Sequence, residues 1–416
     1  MPRKDTEILK PLVDRILDLA FRPSESRKKD LWARHNDLLP TEKIPVTVTY
    51  EGIPTPQWGL MLGRNPMLSS GQFARDIEWS LRQRIWAAEH IGDDHIVWAA
   101  VFIPAVVKRA ADWGVPLEWK STGDELGAKS IVAPFADGID GKRIAFRDFQ
   151  IDEAGTRHRV EKARALTGGR LAVHVQWPSL GHSPFEVATE MRGMQVLLMD
   201  TIDAPEKVEE LMEVITTAYE AHHARREREG RLNVFSMDGG ECIAANIWRA
   251  HAWRSPGIGR GAKPELSDEW AYVSAQSAAG LGPEAFERFV HRHNARLARL
   301  FAKQTVYYHG CERLDHKLDV LAMLPNLRRL HVSPWSSVAA ARDKFRGKVV
   351  LEVHSHPGKV FFTMMPDDIR REIRALIDAA EGVPMDLNLS DINSVNGQPE
   401  ILTTWARIAQ EKSHRK

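Results

Sequence analysis

A chain of 416 residues with 43% hydrophobic and 27% charged residues has the composition of a globular protein that can bury a large core. Its 57 basic and 56 acidic side chains leave a formal net charge of +1, so the charge balance asks for no nucleic-acid or membrane partner. Two cysteines, Cys242 and Cys311, are too few for a disulfide framework, no apolar h-region follows the first charges, and no stretch nears the roughly 18 apolar residues of a membrane span, so the expectation is a cytoplasmic protein acting on a small molecule.

From about residue 5 to 90 the pattern is mostly helical, with one Pro-punctuated extended piece, "KIPVTVTYEGIPTPQW". Phe73, Ile77, Leu81, Ile85 and Trp86 then fall on one stripe ahead of Gly92, which reads as an amphipathic helix with a glycine stop. Residues 1–92 are therefore expected to be a helical extension packed on a domain spanning 93–416. Strand runs follow at 95–104 ("HIVWAAVFIP"), 170–178 ("RLAVHVQWP"), 233–241 ("NVFSMDGGE") and 269–276 ("EWAYVSAQ"). Pro283 opens a helix whose Phe286, Phe289, Val290, Leu297 and Leu300 fit a 3.6-residue period. Four more strands come at short intervals, at 304–310, 327–334, 348–357 and 384–391, with helical segments such as "DDIRREIRALIDAAEG" between the last pairs. Alternating strands and helices imply right-handed parallel crossovers, and eight strand candidates predict an α/β fold, a (β/α)8 TIM barrel with an N-terminal helical extension. The 13 tryptophans suit an aromatic core or a pocket for a flat ligand, with core favoured by burial statistics.

In such a barrel the reactive groups sit where strands end. Those ends carry His174 and Trp177; Asp238, Glu241 and Cys242; Gln276; His309, Cys311 and Glu312; Ser333 and Trp335; His354 and His356; and Asp391 with Asn393. Imidazole, thiol and carboxylate at so many ends point to chemistry, because a buried polar group costs free energy unless it is paired. The most specific signal is "YHGC", where His309 and Cys311 offer nitrogen and sulfur from one strand end, as a zinc site with an open position would need. A structural cysteine beside a hydrogen-bonded histidine would read the same. In "VHSHP" the pleat sends His354 and His356 to one side, either as ligands or as a surface or helix-capping pair. Asp391 is a further ligand candidate or a turn former. Asp238, Glu241 and Cys242 surround Gly239 and Gly240, as in a substrate-binding loop or a plain turn.

Several stretches taken together are similar to the uroporphyrinogen decarboxylase-like superfamily: "LGPEAFERFVHRHNARLARLF", "VYYHGCERLDHKLDVLAMLPNLRRLHVSPWSSVAAARDKF", "KVVLEVHSHP" and "LSDINSVNGQPEILTTWARIA". "DLWARHNDLLPTEKIPV" and "IEWSLRQRIWAAEHIGDD" extend the likeness over most of the chain. The resemblance implies a (β/α)8 barrel, shared with zinc-dependent corrinoid/thiol methyltransferases and cobalamin-independent methionine synthase. It also implies zinc on the H-x-C pair His309 and Cys311. The family's later cysteine has no match here; "NLSDINS" stands in its place, so Asp391, or His354 or His356, would complete the shell. The arginine-rich motif that cradles tetrapyrrole propionates is absent, only "LGRNPMLSSGQ" lying near its place.

The expected function is thus a zinc-dependent methyltransferase moving a methyl group between a corrinoid (cobalamin), brought by a corrinoid protein, and a thiol or other small acceptor. Glu241 or Glu312 would carry protons or orient ligands, with His174, Trp177, Gln276, Trp335 and Asn393 around the substrate. The rivals are a metal-free decarboxylase or lyase using Asp238 and His174, and a non-catalytic corrinoid- or tetrapyrrole-binding protein. A homodimer is expected from the resemblance alone.

Overall fold

The computed structural model describes residues 3–63, 66–121, 123, 129–180, 183–236, 242–244, 263–301, 303 and 305–414. Eight parallel strands organise them: β1 Val46–Val48, β2 Ala100–Pro104, β3 Ala172–Gln176, β4 Ala271–Ser274, β5 Val306–His309, β6 Leu327–Val332, β7 Val350–His354 and β8 Met385–Leu389. Six of them form one parallel sheet in the order β1-β8-β7-β6-β5-β4, while β2 pairs with β3 in a separate parallel ladder. The first strand therefore lies beside the last.

The fold is α/β with a central six-stranded parallel sheet and many helices, but closure into a barrel by strand pairing is not found among the described residues. Side chains occupy the edges instead. The amides of Val46 and Val48 donate to Asp94 Oδ2 (2.9 Å) and Asp93 Oδ2 (2.8 Å), so carboxylates from the segment leading into β2 satisfy the free edge of β1. Asn233 bridges the other gap, accepting from the Trp177 amide just after β3 at 2.8 Å, while its own amide donates to Glu269 Oε1 just before β4 at 3.0 Å. Buried backbone groups need partners, and here short polar side chains supply them where no ladder does.

Two strand expectations change. Of the run at 233–241, residues 237–241 lie outside the described residues, and Val234–Ser236 pairs antiparallel with Cys242–Ala244 as a local hairpin, not with the parallel set. The extended piece near residue 46 takes a place in the sheet, as β1. Three residues, "VTV", are too few for a period of two to declare itself.

The other expected elements form for the reasons their patterns give. Gln72–His90 is one helix that buries Ile77 and Leu81 against Leu9, Val13 and Ile16 of helix Arg3–Ala20, and Gly92 follows it at φ +74°. Pro283 starts a helical segment that passes through a five-residue π turn, Glu287–His291, into helix Arg292–Arg299 and buries Phe286, Phe289, Val290 and Leu297. The main core lies between one face of the sheet, with Leu330, Val332, Leu351, Val353, Leu387 and Leu389, and outer helices such as Pro205–Glu229, Pro366–Ala380 and Glu400–Ser413. No helix among the described residues is long and apolar enough to cross a membrane.

Candidate metal centre

Strands alternate their side chains, so the residues between those apolar positions all share the opposite face of the sheet. That face is polar and, except for the half-buried His309, buried: Tyr307 and His309 on β5, Arg329 and His331 on β6, Glu352 and His354 on β7, Asp386 and Asn388 on β8, Thr47 on β1. Register stacks these residues in layers, pairing Tyr307 with Arg329, His331 with Glu352, Glu352 with Asp386 and His354 with Asn388.

The deepest layer is ionic. Arg329 donates to Glu352 Oε2 at 3.0 Å, Asp386 Oδ2 at 2.8 Å and Asn36 Oδ1 at 2.9 Å, all inside the protein. Burial pulls the guanidinium's pKa down, and the carboxylates of Asp386 and Glu352 more than reverse this, so the arginine stays charged. One layer up, Glu352 Oε1 accepts from Tyr307 Oη at 2.9 Å and meets His354 Nε2 at 2.8 Å, while His354 Nδ1 meets Ser390 Oγ at 2.8 Å.

Toward the strand ends stands a different group. Cys311 Sγ lies 2.6 Å from His309 Nε2, and His309 Nδ1 lies 3.2 Å from both His331 Nδ1 and the Tyr307 hydroxyl. One ligand atom from each of His309, Cys311 and His331 falls within 4.8 Å of the others. His331, Glu352 and His354 meet the same distance test. The two groups differ in what surrounds them. In the second, both nitrogens of His354 and both oxygens of Glu352 already make hydrogen bonds and all three residues are buried. In the first, His309 and Cys311 are only half-buried. Two imidazoles and one thiolate are a borderline-soft donor set that suits zinc and leaves a fourth position open, whereas calcium and magnesium take oxygen. These residues therefore fit a zinc ion. Gly310 allows the short turn between two of them, since a Cβ there would sit 2.6 Å from Leu314 Cδ1 and 3.0 Å from the His331 carbonyl oxygen.

A cavity of about 450 Å³ opens beside this group, with Cys311 and His331 in its wall together with Trp335, His356, Asp391 and Asn393. Five residues singled out in the sequence, Ser333 among them, thus share one cavity with Cys311. Asp391 and His356 belong to neither three-residue group, and the ring of His356 packs edge-on to Trp335 at 4.8 Å while its Nδ1 accepts from the Lys359 amide at 3.4 Å. Others lie elsewhere. Glu312 is on the far side of β5, where Tyr308 Oη donates to it at 3.1 Å and Lys317 Nζ stands 3.9 Å away; burial pushes its carboxyl above the ordinary range and Lys317 opposes the shift. His174 sits in β3 against the Phe102 ring, Trp177 follows that strand with Arg231 over its ring, and Gln276 is exposed in the turn after β4. Cys242 lies in the local hairpin, and Asp238 and Glu241 fall outside the described residues.

His331 is the residue that sequence reasoning missed. It sits two positions before Ser333 and two after Arg329 on the strand "LRRLHV", and a same-face count along "RLHVS" was the available signal. Tyr307 and Glu352, inside the strands and not at their ends, were passed over for the same reason.

No family model matches the chain, and no curated protein matches it. Among solved structures it is similar to a methyltransferase from Methanosarcina mazei, with 14% identity and a TM-score of 0.49 over 92% of this chain and 98% of that one, a likeness too slight to carry any argument.

Proposed function

We propose that this protein is a zinc-dependent methyltransferase of the uroporphyrinogen decarboxylase-like superfamily, with His309, Cys311 and His331 as the metal ligands and the eight parallel strands as the staves of a (β/α)8 barrel. The observation that carries the reading is the N, S and N donor set at the ends of β5 and β6, opening on a cavity of substrate size. The resemblance of "YHGCERL" to the family motif supports the reaction class, and the corrinoid methyl donor comes from that resemblance alone. Zinc bound there would hold an acceptor thiol as thiolate near neutral pH. The chain's own part is positional: Tyr307, whose hydroxyl donates to Glu352, meets the rings of His309 and His331 from behind, as partners behind metal ligands commonly do.

Elemental analysis of the purified protein beside His309→Ala/Cys311→Ala and His331→Ala tests the assignment. Near-stoichiometric zinc in the parent, lost in both variants, is expected, together with methyl transfer from methylcobalamin to a thiol in the parent only. A parent that takes up no metal when zinc is supplied overturns it, and moves the search to metal-free chemistry.

A further inference from the structure

We infer that the cavity beside Cys311 and His331 is built for a small methylated onium cation, with Asp391 supplying the negative charge and Trp335 and Phe362 the aromatic faces. This ligand class deepens the proposed function, and rests on that reading only for the claim that the occupant takes part in methyl transfer.

Charge is the first argument. Among the described residues, twelve line the cavity; none of these is lysine or arginine, and the one carboxylate among them is Asp391. Recognition of carboxylates, sulfonates and phosphates relies on Arg and Lys, and the described residues of this wall include neither. Asp391 is exposed, accepts from the Ser390 hydroxyl at 3.4 Å, and forms no ion pair with a described residue. Its backbone sits at φ +56°, the left-handed region that aspartate tolerates better than most residues, two positions after Leu389, the buried end of β8.

Surface is the second. Trp335 and Phe362 are each 58% exposed, although both rings belong to the wall of one cavity. They come from different places, the loop after β6 and the helix Pro357–Phe362 after β7, and His356 braces Trp335 edge-on at 79° between planes. Exposed aromatic faces beside a carboxylate are what recognises a weakly hydrated, methyl-bearing cation, whose charge is spread over its methyl groups. The volume of about 450 Å³ suits such a ligand with a short chain attached.

The test is calorimetric titration with choline, its neutral isostere 3,3-dimethylbutan-1-ol, 3,3-dimethylbutyrate and trimethylsulfonium. The proteins are the parent, Trp335→Leu and Asp391→Asn, each assayed for zinc on the same sample. Choline is expected to bind about tenfold more tightly than the alcohol and the carboxylate, and each substitution to weaken it about fivefold with zinc content unchanged. Trimethylsulfonium binding more tightly than choline would identify a sulfonium as the occupant, and the reverse an ammonium. Equal binding of choline and the alcohol, preference for the carboxylate, no binding of either cation, or cation binding that survives both substitutions overturns the inference. The two claims fail separately: zinc without onium selectivity sinks this inference alone, and onium selectivity without zinc sinks the metal assignment alone.

Discussion

The imidazole rings of His331 and His354 lie face to face, their centroids 3.7 Å apart and their planes 1° from parallel. His354 is held on both nitrogens, by Glu352 and Ser390, so its ring is a fixed plate against which His331 is set toward His309 and Cys311. His354→Ala removes the plate but no atom of the proposed ligand set. Zinc affinity is expected to fall about 10- to 100-fold, against complete loss in His331→Ala, as read by competition with a chelating dye.

The ionic layer beneath makes a prediction about stability. Arg329→Met would leave the carboxylates of Glu352 and Asp386 buried without their cation, and breaking such a network from one side costs about 3–5 kcal/mol. Urea unfolding is expected to show a loss of that size. Adding Asp386→Asn should recover part of it, since one uncompensated charge is then gone.

Gly310 is constrained by space. Its φ is not in the left-handed region, but alanine there would press on Leu314 and on the His331 carbonyl. Gly310→Ala is expected to keep the circular dichroism spectrum of the parent and to lower zinc affinity about tenfold, because His331, one of the displaced neighbours, belongs to the proposed ligand set and the other two ligands flank the substitution.

His293, on helix Arg292–Arg299, contributes to acid stability. Its Nδ1 lies 2.8 Å from Thr216 Oγ1 and its Nε2 accepts from Arg292 at 3.2 Å, an arrangement that needs the neutral ring. Burial, helped by the charge of Arg292, pushes its pKa down to about 4 from 6.5. Between those values the unfolded chain binds the proton and the folded protein does not, so stability is full above about pH 6.5 and falls as pH drops toward 4. The expected loss from this group between pH 7 and 5 is about 2 kcal/mol. His293→Gln should flatten that part of the urea midpoint against pH curve; an unchanged curve would assign the acid sensitivity to other groups.

The sequence by itself determined the local elements and the most specific pair. Apolar period marked helix Gln72–His90 and the helical segment from Pro283, β-rich runs marked seven of the eight parallel strands, and the H-x-C spacing marked His309 and Cys311, because each of these signals lies within a few neighbouring residues. Tertiary structure decided the rest. Whether Val46–Val48 is a strand depends on β8, some 340 residues further on, and whether Val234–Ser236 joins the sheet depends on pairing that its own residues do not specify. His331 enters the cluster only because register sets β6 beside β5, and Arg329, Glu352 and Asp386 neutralise one another only because three strands and the end of helix Pro23–Asn36 bring them into one layer. The physical reason is the same in each case: a period of two tells which residues share a face of a strand, and only the assembled sheet tells which faces meet.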